Sequence, residues 1–580
     1  MNTREMIESL KRRVLAARGE IPADIVLKGG DVVNLFSGEA KKGDVALYEG
    51  VIVGAGPGYR GKEEVDVAGK WIAPGLIDGH LHIESSMLIP SAIAQVLLLR
   101  GTTAIVADPH EIANVMGLSG IRFMLEDSEK IPFDLFFMAP SCVPATHLET
   151  NGARLGVEEL KELRKEPRIL GLAEMMNFPG VLAGDEEVLE KIIAFRDRAV
   201  DGHGPSLRGH DLQAYIAAGI RSDHETTELS EAAEKLESGM MIMIREGSSA
   251  KNLETLLPLV NDKNAHRFCF VSDDLNAEDI KKRGHLDFMI KRAIEMGMDP
   301  IIAIRMCTLN PAEYFGLRGK GAIAPGYDAD LVILDDLEDF SVSSVYKGGR
   351  KIVEEGALIL YPHRGESGFH RKDNLLNIRS ITPKNFRIPC SNGKARIIEI
   401  VPGEIVTRVR YETPRSRGGF VVSDKESDIL KLCVVERHRG SGRIGLGLVK
   451  GFGLNQGAMA SSIAHDSHNI IAVGVSDEEI FRAVEELRLM GGGLAVICGE
   501  ETLAKVPLPI GGLMSAEPVD RLLKQLKALN QSAVRLGCHI DNPFMALSFL
   551  ALPVIPELKL TDRGLVDINR FEIVPLFCNA

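Results

Sequence analysis

None of the eight cysteines belongs to a CxxC pair. A chain of this size needs no disulfide staples, so the cysteines read as reduced core residues of a cytoplasmic protein. No apolar run approaches the ~18 residues that a membrane-spanning helix needs. The charges around Lys11-Arg12-Arg13 also break up any apolar segment of the signal-peptide kind, so no membrane partner is expected. Basic charge is short as well. Lys plus Arg number 68 against 81 Asp plus Glu, a net charge of −13, which is not the footprint of a nucleic-acid binder. Short basic stretches such as Lys281-Lys282-Arg283 read as solvated helix faces. Gly451-Phe452-Gly453 lacks the GK[ST] ending of a phosphate loop. There is no internal repeat and no low-complexity tract.

What is present is a chain too long, at 580 residues, for one hydrophobic core, so two to four units are expected. Residues 1–22 have Met6, Leu10, Val14 and Leu15 at helical spacing. Residues 23–72 are short β-rich runs split by Gly and charged residues. From 73 to 320, apolar strands alternate with helical stretches. The strands are read at Ile77–His82, Ala104–Asp108, Leu135–Ala139, Ile169–Glu174, Ala199–His203, Ile220–His224, Met241–Arg245 and Phe268–Asp273. Eight strand-then-helix units point to an α/β fold with a (β/α)8 TIM-like barrel. A doubly wound sheet is less favoured, because no GxGxxG turn follows the first strand. Residues 321–363 return to β character and are expected to pair with 23–72 as a small flanking β-sandwich domain. Residues 364–375 read as a polar linker, and 376–580 as an additional C-terminal α+β domain.

His80 and His82 in Asp78-Gly79-His80-Leu81-His82 stand two apart, which puts both imidazoles on one face of a strand. Four more candidates close later strands: Glu174, His203, His224 and Asp273. Strand ends of a parallel barrel open onto one face, so these residues converge there. Four imidazoles and two carboxylates exceed one tetrahedral ion and suit two ions, with a carboxylate bridging.

These motifs resemble the amidohydrolase superfamily. The resemblance is carried by Ile72 to His82 at one end of the barrel, and by Asn310-Pro311-Ala312 and Pro325-Gly326-Tyr327-Asp328-Ala329-Asp330-Leu331 at the other. Within it the chain is similar to the adenine deaminase branch. That likeness lies in Gly79–Ser86, in Asp108-Pro109-His110-Glu111, in Gly202-His203-Gly204-Pro205 and in Ser222-Asp223-His224-Glu225. It continues in Arg245-Glu246-Gly247-Ser248 and in the tail around Gly457–Asn469. Glu174, where hydantoinase-like relatives carry a carboxylated lysine, agrees with that branch. The resemblance implies His80, His82, Glu174, His203, His224 and Asp273 as the metal shell, with two manganese ions and iron as an alternative. It implies free adenine as substrate, converted to hypoxanthine and ammonia by attack of a metal-activated hydroxide on C6. A homo-oligomer, a dimer, is expected.

Catalysis is assigned to Asp273, as first proton acceptor, and to Glu84. Glu84 shares the face of His80 and His82 if the strand continues, and either protonates the purine or orients a ligand. Asp108, His110 and Arg245 are candidates for binding substrate. Ser272 and Asp274 read as supporting groups, and His285 as a surface or packing residue. His465, Asp466 and His468 are read as a lid or a turn in preference to a separate metal site.

Overall fold

The computed structural model describes residues 2–361 and 376–578. The stretch 364–375, read as a linker, lies outside the described residues. Helix Thr3–Ala17 opens on a capping box, in which Asn2 accepts from the Glu5 amide and Glu5 accepts from that of Asn2. Its apolar stripe is not buried as the spacing suggested: Met6, Leu10 and Val14 are exposed, and Ser9 and Ala16 make the buried face.

Both flanks of the barrel build one sheet of nine strands. Ala23–Asn34, Glu39–Tyr48, Val51–Ala55, Gly61–Asp66 and Trp71–Pro74 come from before the barrel. Leu331–Leu334, Val342–Lys347, Arg350–Glu354 and Ala357–Leu358 come from after it. The join is antiparallel, with Val332 opposite Ala73. Alternate residues such as Val45, Leu47, Ile72, Leu331 and Ile333 fill the core beneath it.

Leu76–Leu81, Thr102–Ala107, Asp134–Ala139, Ile169–Met175 and Ala199–Gly202 form a five-stranded parallel sheet, and Ser222–Asp223, Met241–Arg245 and Phe268–Val271 a three-stranded one. The ring closes where Leu81 bridges Asp273. At the other seam the Arg221 amide donates to the Val200 carbonyl at 3.0 Å. Residue parity explains why this sequence closes. Val106, Met243, Cys269 and Val271 point inward and fill the barrel, while Ile105, Ile244, Phe268 and Phe270 point outward against the helices.

Seven of the eight strands differ from the sequence reading in at least one limit, and three of the differences bear on the site. The first strand ends at Leu81 and the eighth at Val271, and the sixth is only Ser222–Asp223. A 3-10 turn, Ile83–Ser86, follows His82, so Glu84 does not share a strand face with His80 and His82.

The C-terminal part is an eight-stranded sheet running Thr407–Glu412, Ala395–Ile400, Ile444–Lys450, Ile429–Val435, Ile470–Gly474, Ala458–Ser461, Gly493–Cys498, Glu501–Pro507. Helix Asp477–Met490 covers one face through Ile480, Val484 and Leu487. The opposite face, with Leu432, Val434 and Val473, belongs to the same continuous core as the outer face of the barrel. Polar ties add to it: Thr150 donates twice to Asp562, at 2.8 and 2.7 Å, and Asn469 donates to the Thr150 carbonyl at 2.9 Å. The sheet is thus fixed over the barrel mouth. No described helix is long and apolar enough to cross a membrane.

Candidate functional site

All six residues chosen from strand ends meet at one end of the barrel, and all are buried. His82 Nδ1 faces the Asp108 carbonyl at 3.1 Å and so carries the hydrogen. Its Nε2 lone pair then points at Asp273 Oδ1, 3.2 Å away, and Glu174 Oε1, 3.4 Å away. His80 Nε2 lies 3.6 Å from the same Asp273 oxygen, buried and without a hydrogen-bond partner. On the other side of Glu174, Oε2 is 2.6 Å from His203 Nδ1 and 3.2 Å from His224 Nε2. Lone pairs facing lone pairs repel unless a proton or a cation sits between them. The donor set therefore fits a divalent metal, and the spacing of the ligand atoms allows one within each of two overlapping groups, His80-His82-Asp273 and His80-Glu174-His224.

The electrostatics agree. Burial disfavours a charged imidazole, yet the contact with Asp273 holds His82 well above the usual histidine value. In the same way Glu174 lifts His224 to about 9 against burial. Burial works against the Glu174 carboxylate too, but His203 and His224 keep it well below the usual range.

The substrate-binding candidates separate. Arg245 lines the cavity, but its guanidinium is engaged: Nη1 donates to Asp273 Oδ2 at 2.6 Å, and both terminal nitrogens clasp Glu225. His110 also lines the cavity. Asp108 is not among the lining residues; its carboxylate turns to the His110 amide and Nδ1, at 3.1 and 3.0 Å. Glu84 is not among them either, and accepts from the Ile112 amide at 3.0 Å. Burial and the neighbouring Glu111 push it up to about 7.

The chain matches two family profiles: Amidohydrolase family over residues 71–352 and Adenine deaminase C-terminal domain over residues 404–572. An adenine deaminase of Desulfatibacillum aliphaticivorans is 52% identical over 97% of this chain and 99% of its own. One of Dehalococcoides mccartyi is 47% identical over 98% of this chain and 100% of its own. The chain belongs to the adenine deaminase family. Among solved structures, a β-aspartyl dipeptidase from Fervidobacterium islandicum superposes with a TM-score of 0.46 at 17% identity, covering 59% of this chain and 99% of that one.

In this adenine deaminase family member the C-terminal part supplies a wall of the cavity, where His465 and Asp466, read as a lid or a turn, stand with apolar residues that sequence reading did not assign. Ile405, His465, Asp466, Phe549, Leu552 and Ile555 all line it. Glu225 was missed because strand alternation turns it away from His224. The sixth strand stops at Asp223, so consecutive side chains both reach the mouth, and Glu225 Oε1 lies 3.4 Å from His224 Nε2. Glu111 was missed too. It reaches His465 Nδ1 at 2.7 Å and His468 Nε2 at 2.5 Å. The three have ligand-like spacing. However, the Ala464 amide donates to His468 Nδ1 at 3.2 Å, so Nε2 of the neutral ring carries the hydrogen and has no lone pair for an ion. His285 is not at the surface: buried, it contacts Asp78 Oδ2 at 2.8 Å beneath the histidine pair, where Ser272 also donates to Asp78.

Glu149 carries a cost. Both its oxygens are buried without a well-formed hydrogen bond. Burial, and then Asp466, push it well above the usual carboxylate value, opposed by the Ser467 hydroxyl. A carboxyl raised in the folded state stabilises most below its unfolded value, and that contribution is lost as pH rises through the folded value. Glu149→Gln is therefore expected to gain over wild type as pH rises from about 4.5, reaching about 1–3 kcal/mol, the usual cost of an unsatisfied buried polar group. Thermal melts of both proteins between pH 4.5 and 8 check this; a pH-independent difference contradicts it.

Proposed function

We propose that this chain hydrolyses adenine to hypoxanthine and ammonia in a site that pairs the six-residue donor set with an apolar slot. The observation that carries the reading is that slot. The barrel side holds the donor set, and the C-terminal side adds Ile405, Phe549, Leu552 and Ile555 beside His465 and Asp466, which suits a flat ring with apolar faces and polar edges.

His80, His82, Glu174, His203, His224 and Asp273 would hold two divalent ions, manganese by preference with iron as the alternative. Bound there, the ions supply Lewis-acid activation of water near neutral pH. The remaining work falls to the protein. Arg245 fixes Asp273 through Oδ2 and so orients the carboxylate that accepts the proton of the attacking water and passes it towards the departing amine. The apolar wall excludes bulk water, which strengthens each polar contact. Glu84 acts by orientation, since its carboxylate holds the start of helix His110–Met116. Asp108 likewise acts through His82 and His110.

The test is direct. Manganese-loaded protein given adenine is expected to produce the ultraviolet change to hypoxanthine with one ammonia per turnover, and to lose it on chelation. A folded, metal-replete sample without turnover would sink the reading.

A further inference from the structure

Two histidines that line the cavity lie outside the six-residue donor set, His110 and His465; His110 is tied through Nδ1 to Asp108, and His465 is supplied by the C-terminal part. His465 lies between strands Ala458–Ser461 and Ile470–Gly474 of the C-terminal sheet and lines the cavity opposite the barrel's own ligands. Its ring is fixed from two directions. Phe549 stacks on it, with centroids 4.6 Å apart and planes 15° from parallel. Glu111 Oε1 holds Nδ1 at 2.7 Å. The second oxygen of Glu111 lies 2.5 Å from His468 Nε2, a close ionic approach without a well-formed hydrogen bond, and the Ala464 amide sets that ring. The His468 carbonyl is in turn held by the Arg437 guanidinium. With Nδ1 engaged, Nε2 is the nitrogen left to a ligand. A purine base offers three ring nitrogens as pure acceptors, and on the barrel side the Arg245 guanidinium is already taken by Asp273 and Glu225.

We propose that His465, positioned by Glu111, donates from Nε2 to a ring nitrogen of adenine while C6 faces the metal-ligand wall. The C-terminal domain thereby contributes a substrate-contacting residue. This rests on the adenine reading above. A donor at a ring nitrogen draws electron density from the ring and stabilises the charge that builds up when C6 is attacked. Burial disfavours a charged imidazole, but Glu111 lifts His465 to about 9, so the donor persists through neutral pH. Among the described residues, Glu111 and Asp466 are the acidic partners within 4 Å of His465, and Asp274 acts on it in the same sense.

The experiment uses the full-length, manganese-loaded enzyme and measures inhibition constants for 1-, 3- and 7-deazaadenine, each lacking one acceptor. Wild type is expected to bind one of the three about 10- to 100-fold more weakly than the others, as for loss of a charge-assisted hydrogen bond. His465→Phe keeps a flat ring on Phe549 and removes the donor. It is expected to bind adenine and two analogues 10- to 100-fold more weakly, but the third as wild type does. Equal losses on all three analogues, or none, overturn the proposal. If the Phe variant does not fold with full metal content, His465→Leu, which also lacks a donor, is read by the same criterion. Glu111→Gln is expected to show the same analogue pattern with a smaller loss; unchanged discrimination overturns its positioning role. Wild-type turnover of adenine is measured alongside. Its absence sinks the adenine reading, whereas turnover without the analogue pattern sinks only the role of His465.

Discussion

Asp273→Asn is expected to fold as wild type does and to lose at least about 1000-fold in kcat, within the range of general acid–base contributions. The fold survives for two reasons. Asp273 has a φ of 55°, in the left-handed region that asparagine enters more readily than most residues. Arg245 also keeps its two-pronged contact with Glu225 when the charge at 273 is removed. The chemistry does not survive. The amide cannot accept a proton. In either flip it loses an interaction, turning its hydrogens towards the Nε2 atoms of His80 and His82, 3.6 and 3.2 Å from Oδ1, or towards Arg245. Steady-state rates with metal content and melting temperature measured on the same preparation check this. A folded, metal-replete variant with more than a tenth of wild-type activity removes Asp273 from the mechanism.

The barrel was legible in the sequence because its strands are buried on both faces and read as short apolar runs, each closed by a polar residue. His80, Glu174, His203 and Asp273 followed from one rule, that strand ends share a face. The same rule failed where the backbone leaves the strand. Glu84 was placed by extending period-two geometry past His82, into what is a 3-10 turn. Glu225 was passed over because alternation was assumed across a strand that had already stopped. The opposite wall was illegible for a different reason. Phe549 and Ile405 are ordinary apolar residues in sequence, and what makes them pocket residues is the fusion of the C-terminal sheet with the barrel core, a long-range packing event with no local signature. His465 was visible as part of a polar cluster, but its partner Glu111 lies over 350 positions earlier, next to a histidine that drew the attention.

Glu174→Gln is expected to cost the protein its metal as well as its rate. One carboxylate is shared by four imidazoles: Oε2 faces His203 and His224 at 2.6 and 3.2 Å, and Oε1 faces His82 and His110 at 3.4 and 3.6 Å. Glutamine loses the charge that offsets a divalent ion, and whichever way it flips, it directs two hydrogens at ring nitrogens on one side. Metal content after gel filtration is expected to fall by about half or more, and kcat by about 1000-fold or more. Full metal content with near-wild-type rates would remove Glu174 from the shell. The metal-free proteins give an independent reading. Glu174 lifts His224 to about 9 in the folded state, above the value near 6.5 of an unfolded histidine. That stabilisation is complete below about pH 6.5 and is lost as pH rises through about 9. The metal-free wild type is therefore expected to lose stability across this window, while the metal-free Glu174→Gln variant, without the charge that raises His224, is expected to show a flatter melting profile over the same range.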